Sequence, residues 1–264
     1  MATGTVEPQR RPLLSVADLS VRFGGIVALD GLSFEVHRGE IAGIIGPNGA
    51  GKTTLFNCLS RLYRADAGRV EFDGQPLLEA RAHEIAGLGV GRTFQNVALF
   101  RSLSVFENIL LGRHCRGRGG FLANALRLAS VRRDEEEARE RARELLEFLD
   151  LRAVADRPVA ALPFGTRKRV ELGRALASRP KLLLLDEPAS GLNHEEVGAL
   201  GALIRAIRDR IDVTILLVEH HMNLLMGVSD RVVALDFGRK IADGRPDEVR
   251  NHPEVVRAYL GTAA

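Results

Sequence analysis

The sequence predicts an α/β protein built on a mostly parallel sheet, with a helical lobe inserted into it. Three observations carry that expectation. The apolar run Ile41-Ala42-Gly43-Ile44-Ile45 leads into Gly46-Pro47-Asn48-Gly49-Ala50-Gly51-Lys52-Thr53-Thr54 and then Leu55 to Leu59, which reads as strand, glycine-rich loop and helix start. Two later apolar runs, Leu182 to Leu185 and Val213 to Val218, are short and, Thr214 apart, unbroken, as strands covered on both faces are. Between them and the first run, Ser104 to Leu162 is patterned as helix, and alternation of strand and helix argues for parallel pairing.

The glycine-rich stretch explains its own residue types. Glycines let successive backbone N–H groups turn inward around phosphate oxygens. The helix that follows adds unpaired donors and the positive end of its dipole. Lys52 can reach the β- and γ-phosphates, and the Thr53 hydroxyl can ligate Mg²⁺. Strand, spacing and Lys-Thr-Thr occur together, so the chain is expected to bind a nucleoside triphosphate.

Composition narrows the class. With 264 residues, 45% of them hydrophobic, the chain suffices for one large α/β domain or a domain with an inserted lobe. No apolar run approaches the ~18 residues of a membrane span. Met1 to Pro12 lacks the apolar centre of a signal peptide and is expected to be a disordered tail. Two cysteines, Cys58 and Cys115, give no disulfide framework and fit a reducing cytosol. A net charge of +3, no long basic block, no tryptophan and 5% aromatics argue against nucleic acid as partner.

Along the chain, Leu13 to Leu19 and Val27 to Val36 alternate as half-exposed strands do, and Arg69 to Gln75 adds a strand closing on Asp73-Gly74. Phe23 lies between the first two; it can stack on an adenine ring or be a partly buried strand residue. Val90 to Asn96 is a short strand with a polar end. Glu135 and Arg139, and Glu137 and Arg141, are spaced for ion pairs on a solvated helix face, with Ala138, Ala142, Leu145, Leu146 and Leu149 opposite. The Gly/Arg-rich piece Arg116 to Gly120 reads as a solvated loop, and His114-Cys115 is too sparse for a metal site. Leu162 to Leu176 opens with a turn and continues as an amphipathic helix. Asn193 with Glu196 has the form of a capping box, Arg231 to Ala242 that of a hairpin around Gly238, and Pro253 to Leu260 that of a closing helix.

The chemistry gathers at strand ends. Asp186 follows four leucines, where a phosphate-loop enzyme places its Mg²⁺-side carboxylate. Glu187 has no structural need to be acidic, and a carboxylate there can accept a proton from water attacking the γ-phosphate. His220 ends the neighbouring apolar run and can donate to that phosphate. Gln95 can offer its amide to Mg²⁺ or the attacking water. Half the chain separates Lys52 from Asp186, more than small kinases or GTPases use, and no Asn-Lys-x-Asp motif is present.

In order along the chain stand GPNGAGKTT, the glutamine of RTFQN, LPFGT-RKRVELGRAL, LLLLDEP, SGLN and VEH. With these the sequence resembles the ATP-binding subunits of ABC transporters over residues 13–262. Among them it is most similar to the longer ATPase subunit of branched-chain amino acid importers, through VRFGGIVALDGLSF, GRTFQNVALFRSLSVFENILLG, LLVEHHMNLLMGVSDRVVALDFGRKIADG and PEVVRAYLG. The resemblance implies a single cassette over 13–264, with a RecA-like parallel core, an antiparallel β subdomain and a helical subdomain inserted at about 97–180. It implies ATP and Mg²⁺ as cofactors, with Phe23 against adenine and the loop from Gly46 through Thr54 on the phosphates. Thr53, Gln95 and Asp186 would attend the metal, and Glu187, His220 and Gln95 the hydrolysis. Gly165 and Thr166 would face the ATP of a second ATP-binding subunit. The other implied partners are membrane permease subunits and, indirectly, a solute-binding protein, with the chain peripheral on the cytoplasmic face of the membrane.

One departure stands out. The family signature usually begins Leu-Ser-Gly-Gly-Gln, whereas here it reads Leu162-Pro163-Phe164-Gly165-Thr166, and Pro163 supplies neither a hydroxyl nor an N–H. Urea or amide import, lipopolysaccharide export and a non-transport ABC ATPase are the alternatives, the last normally carrying two fused cassettes or a long coiled coil.

Overall fold

A computed structural model describes residues 11–93, 98–113 and 129–260. Leu14–Phe23 (β1) and Ile26–Val36 (β2) pair antiparallel. On the other edge of β1 lie Ala67–Phe72 (β4) and then Gln75–Pro76 (β5), giving the order β2-β1-β4-β5. The buried residues of β1 are Leu14 and Val16, then Leu19 and Val21, a change of parity along one strand. The register shift between Val16 and Leu19 accounts for it: Asp18, at φ 52, makes a bulge that returns the apolar side chains to the core face.

The second sheet has the order β10-β9-β3-β8-β7-β6. Its strands are Ile41–Ile45 (β3), Val90–Arg92 (β6), Leu182–Asp186 (β7), Thr214–Val218 (β8), Arg231–Asp236 (β9) and Arg239–Gly244 (β10). All neighbours pair parallel except the β9–β10 hairpin. The central strands are almost wholly apolar because both faces are covered. Leu183, Leu185, Ile215 and Leu217 enter one core, and Leu182, Leu184, Leu216 and Val218 enter the other.

Helix Lys52–Leu59 (α1) and the antiparallel sheet fill the second core through Leu55, Phe56 and Leu59. The first core takes helices Val105–Leu111 (α3), Ala129–Phe148 (α4), Phe164–Ala177 (α5), His194–Ile211 (α6) and Met222–Val228 (α7). Ala142, Leu145, Leu146 and Leu149 of α4 are buried as the spacing predicts. Its charged face differs in detail: Arg139 reaches Glu135 at 3.5 Å, whereas Glu137 receives Arg113 at 2.8 Å and Arg141 reaches Glu144 at 2.9 Å. The capping box on α6 forms, with Asn193 Oδ1 accepting the Glu196 N–H at 2.9 Å and Glu196 Oε2 accepting that of Asn193 at 2.9 Å. Ile85–Leu88 (α2), Pro246–Arg250 (α8) and Pro253–Leu260 (α9) complete the α-helices among the described residues. Residues 1–10, Gln95, and the 114–120 stretch holding His114, Cys115 and the Gly/Arg-rich piece lie outside the described residues.

Candidate functional site

The chain leaves β3 into the phosphate-type loop, and the loops after β8, the strand beside it, and after β7, the next strand over, open at the same end of the sheet. In an open parallel sheet this carboxyl edge is where ligands bind. Gly51, the N-cap of α1, takes a left-handed φ of 97°, and a Cβ there would stand 2.5 Å from the carbonyl oxygen of Ala28. A Cβ on Gly46 would overlap the carbonyl of Leu235. The loop is held from outside as well. Gly238 N–H donates to Ala50 O at 3.2 Å, and Asp30 N–H to Gly238 O at 3.0 Å, so the β9–β10 turn clasps it to β2.

Lys52 is 6% exposed, and its ammonium donates to the carbonyls of Gly46 at 2.6 Å and Pro47 at 2.9 Å. Burial lowers its pKa, and the charges of Glu187 and Asp186 pull it partly back. A cation held over a loop of inward-turned amides can meet a phosphate chain. Asn48, Gly49 and Thr53 are exposed, Ala50 is buried, and Pro47 and Thr54 are half-buried.

Asp186 ends β7 and is 4% exposed; its Oδ2 accepts Nη2 of Arg92 at 2.9 Å. Arg92, the last residue of β6, also donates from Nη1 to Asn57 Oδ1 at 2.9 Å and Ser60 Oγ at 3.0 Å, and lies 5.6 Å over the Phe56 ring. Sequence reasoning missed this arginine. The available signal was a charged residue closing the strand run beside the one that carries Asp186.

Glu187 has φ 48°, and its N–H donates to Val218 O at 2.9 Å. That turn aims its carboxylate at the next loop, where Nε2 of His220 lies 2.6 Å from Oε1. The two side chains joined here come from residues 33 apart in sequence. Phe23 sits at the β1–β2 turn, 47% exposed, packed edge-on against Tyr63 with ring centroids 5.2 Å apart. Its outer surface is free to meet a flat ring.

Pro163 is the N-cap of α5, with φ −56° and no side-chain cap bond. Gly165 lies against the start of α6, since a Cβ there would come 2.5 Å from Glu196 Oε1. Phe164 packs on Gly191, with the Arg167 and Lys168 cations each 5.6 Å from its ring. Thr166, in the first turn of α5, is half-buried.

A phosphate-binding loop with its lysine, and an Asp-Glu pair and a histidine on adjacent strand ends, define an ATPase of the phosphate-loop class. The ABC transporter family model matches residues 29–190, and the branched-chain amino acid ATP-binding cassette transporter model matches residues 239–264. The chain is 43% identical to the high-affinity branched-chain amino acid transport ATP-binding protein BraF of Pseudomonas aeruginosa, covering 96% of this chain and 99% of that one. It is 44% identical, with the same coverage, to the corresponding LivG of Escherichia coli. Among solved structures, a nucleotide-free ATP-binding cassette from an ABC transporter superposes with a TM-score of 0.81 at 32% identity, covering 95% of this chain and 99% of that one. The ADP conformation of MJ1267, another such cassette, gives 0.82 at 33% identity and the same coverage. The chain belongs to the ABC transporter family, as an ATP-binding and ATP-hydrolysing cassette.

Proposed function

We propose that this chain hydrolyses ATP to drive import of branched-chain amino acids. The observation that carries this reading is the match to BraF and LivG along nearly the whole length of both chains, joined to the C-terminal match at 239–264. The chain works beside a second ATP-binding subunit, against membrane permease subunits on the cytoplasmic face. Among the described residues no helix is long and apolar enough to cross a membrane.

In this reading the triphosphate lies along the amides from Gly49 to Thr54, with Lys52 released from the carbonyls of Gly46 and Pro47 onto the β- and γ-oxygens. Phe23 stacks on the adenine. Glu187 takes the proton of the attacking water, and His220 holds the γ-phosphate as a donor. The oxygen donors of Thr53 and Asp186 fit Mg²⁺, a hard cation that keeps several waters and shares phosphate oxygens; one Asp186 oxygen is already engaged by Arg92. Bound there, Mg²⁺ would neutralise charge developing on the phosphates. Gln95 is assigned to the same metal and water. Gly165 and Thr166 present their amides to the partner subunit's ATP, with Pro163 contributing no hydroxyl. The inserted lobe, about 97–180, receives the permease.

The test is reconstitution of this chain with its second ATP-binding subunit, permease subunits and solute-binding protein in vesicles, measuring uptake of labelled leucine. ATP-dependent uptake is expected. Glu187→Gln in this chain should keep ATP binding while lowering turnover by roughly 10²–10⁴-fold, the contribution of a positioned base. ATP hydrolysis without leucine uptake would overturn the transport assignment, and unchanged turnover in the variant would overturn the base.

A further inference from the structure

Glu219, the residue after β8, is 3% exposed and uses both carboxylate oxygens on backbone N–H groups of two different loops. Oε1 accepts Ala189 N–H at 2.6 Å. Oε2 accepts His220 N–H at 2.8 Å and His221 N–H at 3.1 Å. Ala189 belongs to the loop after β7, two residues beyond Glu187, and the two histidines belong to the loop after β8. A single buried carboxylate therefore laces together the segments that carry Glu187 and His220.

A buried acid is costly unless its lone pairs are filled, and three N–H groups fill them here. Burial lowers the pKa of Lys168 of α5, 5% exposed, against the opposing charges of Glu171 and then of Glu219, Glu187 and Asp186. Glu219 thus stands between the loop after β7 and the loop after β8. The contact it frames is short, since His220 Nε2 and Glu187 Oε1 are 2.6 Å apart, and Glu187 reaches it only through a backbone turned to φ 48°. Both residues lie beyond the last paired residues, Asp186 and Val218, with Glu187 N–H still donating to Val218 O at 2.9 Å.

We propose that Glu219 is a positioning residue for ATP hydrolysis, fixing the loops after β7 and β8 so that Glu187 and His220 meet. The proposal rests on the reading that Glu187 and His220 act at the γ-phosphate. Glutamine at 219 keeps the shape but has one acceptor oxygen; its NH₂ must face either the Ala189 N–H or the two histidine N–H groups. One loop is then released while the phosphate loop, on the other strand, is untouched.

The experiment compares Glu219→Gln, Glu187→Gln and the double variant in the reconstituted complex, reading kcat, KM, single-turnover rate and nucleotide Kd. For Glu219→Gln a fall in kcat of roughly ten- to a hundredfold is expected, from loss of charge-assisted hydrogen bonds that hold the site. KM and nucleotide Kd should change less than about threefold, given that the phosphate loop keeps its contacts. Added to Glu187→Gln, the second substitution should cost little further in single-turnover rate, as coupled residues do. Should Glu219→Gln fail to fold, Glu219→Asp, which keeps the charge but is one methylene too short to hold both loops, is read in the same way. Unchanged kcat, parallel losses of kcat and nucleotide affinity, or full additivity in the double variant would each overturn the proposal. Failure of the underlying reading shows separately, as normal turnover in Glu187→Gln alone.

Discussion

The guanidinium of Arg92 donates to Oδ2 of Asp186 at 2.9 Å, joining the ends of β6 and β7 across side chains that are 9% and 5% exposed. The same guanidinium reaches Asn57 and Ser60, at the end of α1 and just past it, so one side chain links two parallel strands to the helix that follows the phosphate loop. Breaking a buried pair leaves an uncompensated charge, which costs about 3–5 kcal/mol. Arg92→Ala should therefore lower unfolding free energy by about that amount. Urea denaturation monitored by circular dichroism checks it, and a loss under about 1 kcal/mol, the value of an exposed pair, would contradict the structural weight given to Arg92.

The pKa of Lys52 is lowered chiefly by burial, with Glu187 and Asp186 opposing that shift. A phosphate chain favours the charged ammonium, so the nucleotide complex holds the Lys52 proton more tightly than the free protein does. Linkage then requires proton uptake on binding and an ATP affinity that falls as pH rises through the lowered pKa of the free protein. Calorimetry in two buffers of different ionisation enthalpy, run at several pH values up to the ordinary lysine value, should register that uptake, because the window opens below that value. Binding without proton exchange there would show that Lys52 does not meet the phosphates.

The hydroxyl of Tyr259 accepts the N–H of Gly46 at 2.8 Å, tying α9 to the first residue of the phosphate loop. Tyr259→Phe leaves that N–H unpaired in a partly buried place, a loss of about 1–3 kcal/mol divided between stability and loop order. A several-fold weaker nucleotide Kd together with a lower Tm is expected. Wild-type values for both would mean that the bond adds nothing to loop placement.

His220 is 46% exposed on its side chain and touches Glu187 rather than the phosphate loop. His220→Ala should leave ATP and ADP affinities near wild type and slow turnover by on the order of 10²-fold, the usual cost of one positioned donor in the transition state. Equal losses of ATP and ADP affinity would place the histidine in nucleotide binding instead.

Much of the fold is readable in the chain because its signals are local. The runs at β3, β7 and β8 are apolar except for Asp186 at the end of β7 and Thr214 at the start of β8, which follows directly from burial on both faces. The loop from Gly46 to Thr54 is contiguous, and so is the Asn193–Glu196 cap. Asp186, Glu187 and His220 stand out for a similar reason, as polar residues at or just beyond the ends of apolar strands. Where the chain bulges at Asp18, the sequence alternation alone hides the change of parity between Val16 and Leu19.

What the sequence by itself determined is therefore the class of site and the kind of sheet that holds it, since a phosphate loop and doubly buried strands are written in adjacent residues. Only the tertiary structure decided who braces that site. Arg92 meets Asp186 across 94 residues, Glu219 meets Ala189 across 30, and Tyr259 meets Gly46 across 213. Those partners are set by which strand ends become neighbours, with β3 between β8 and β9 and β7 between β8 and β6. Side-chain periodicity reports the environment of one strand's faces; it carries no record of the strand that will lie beside it.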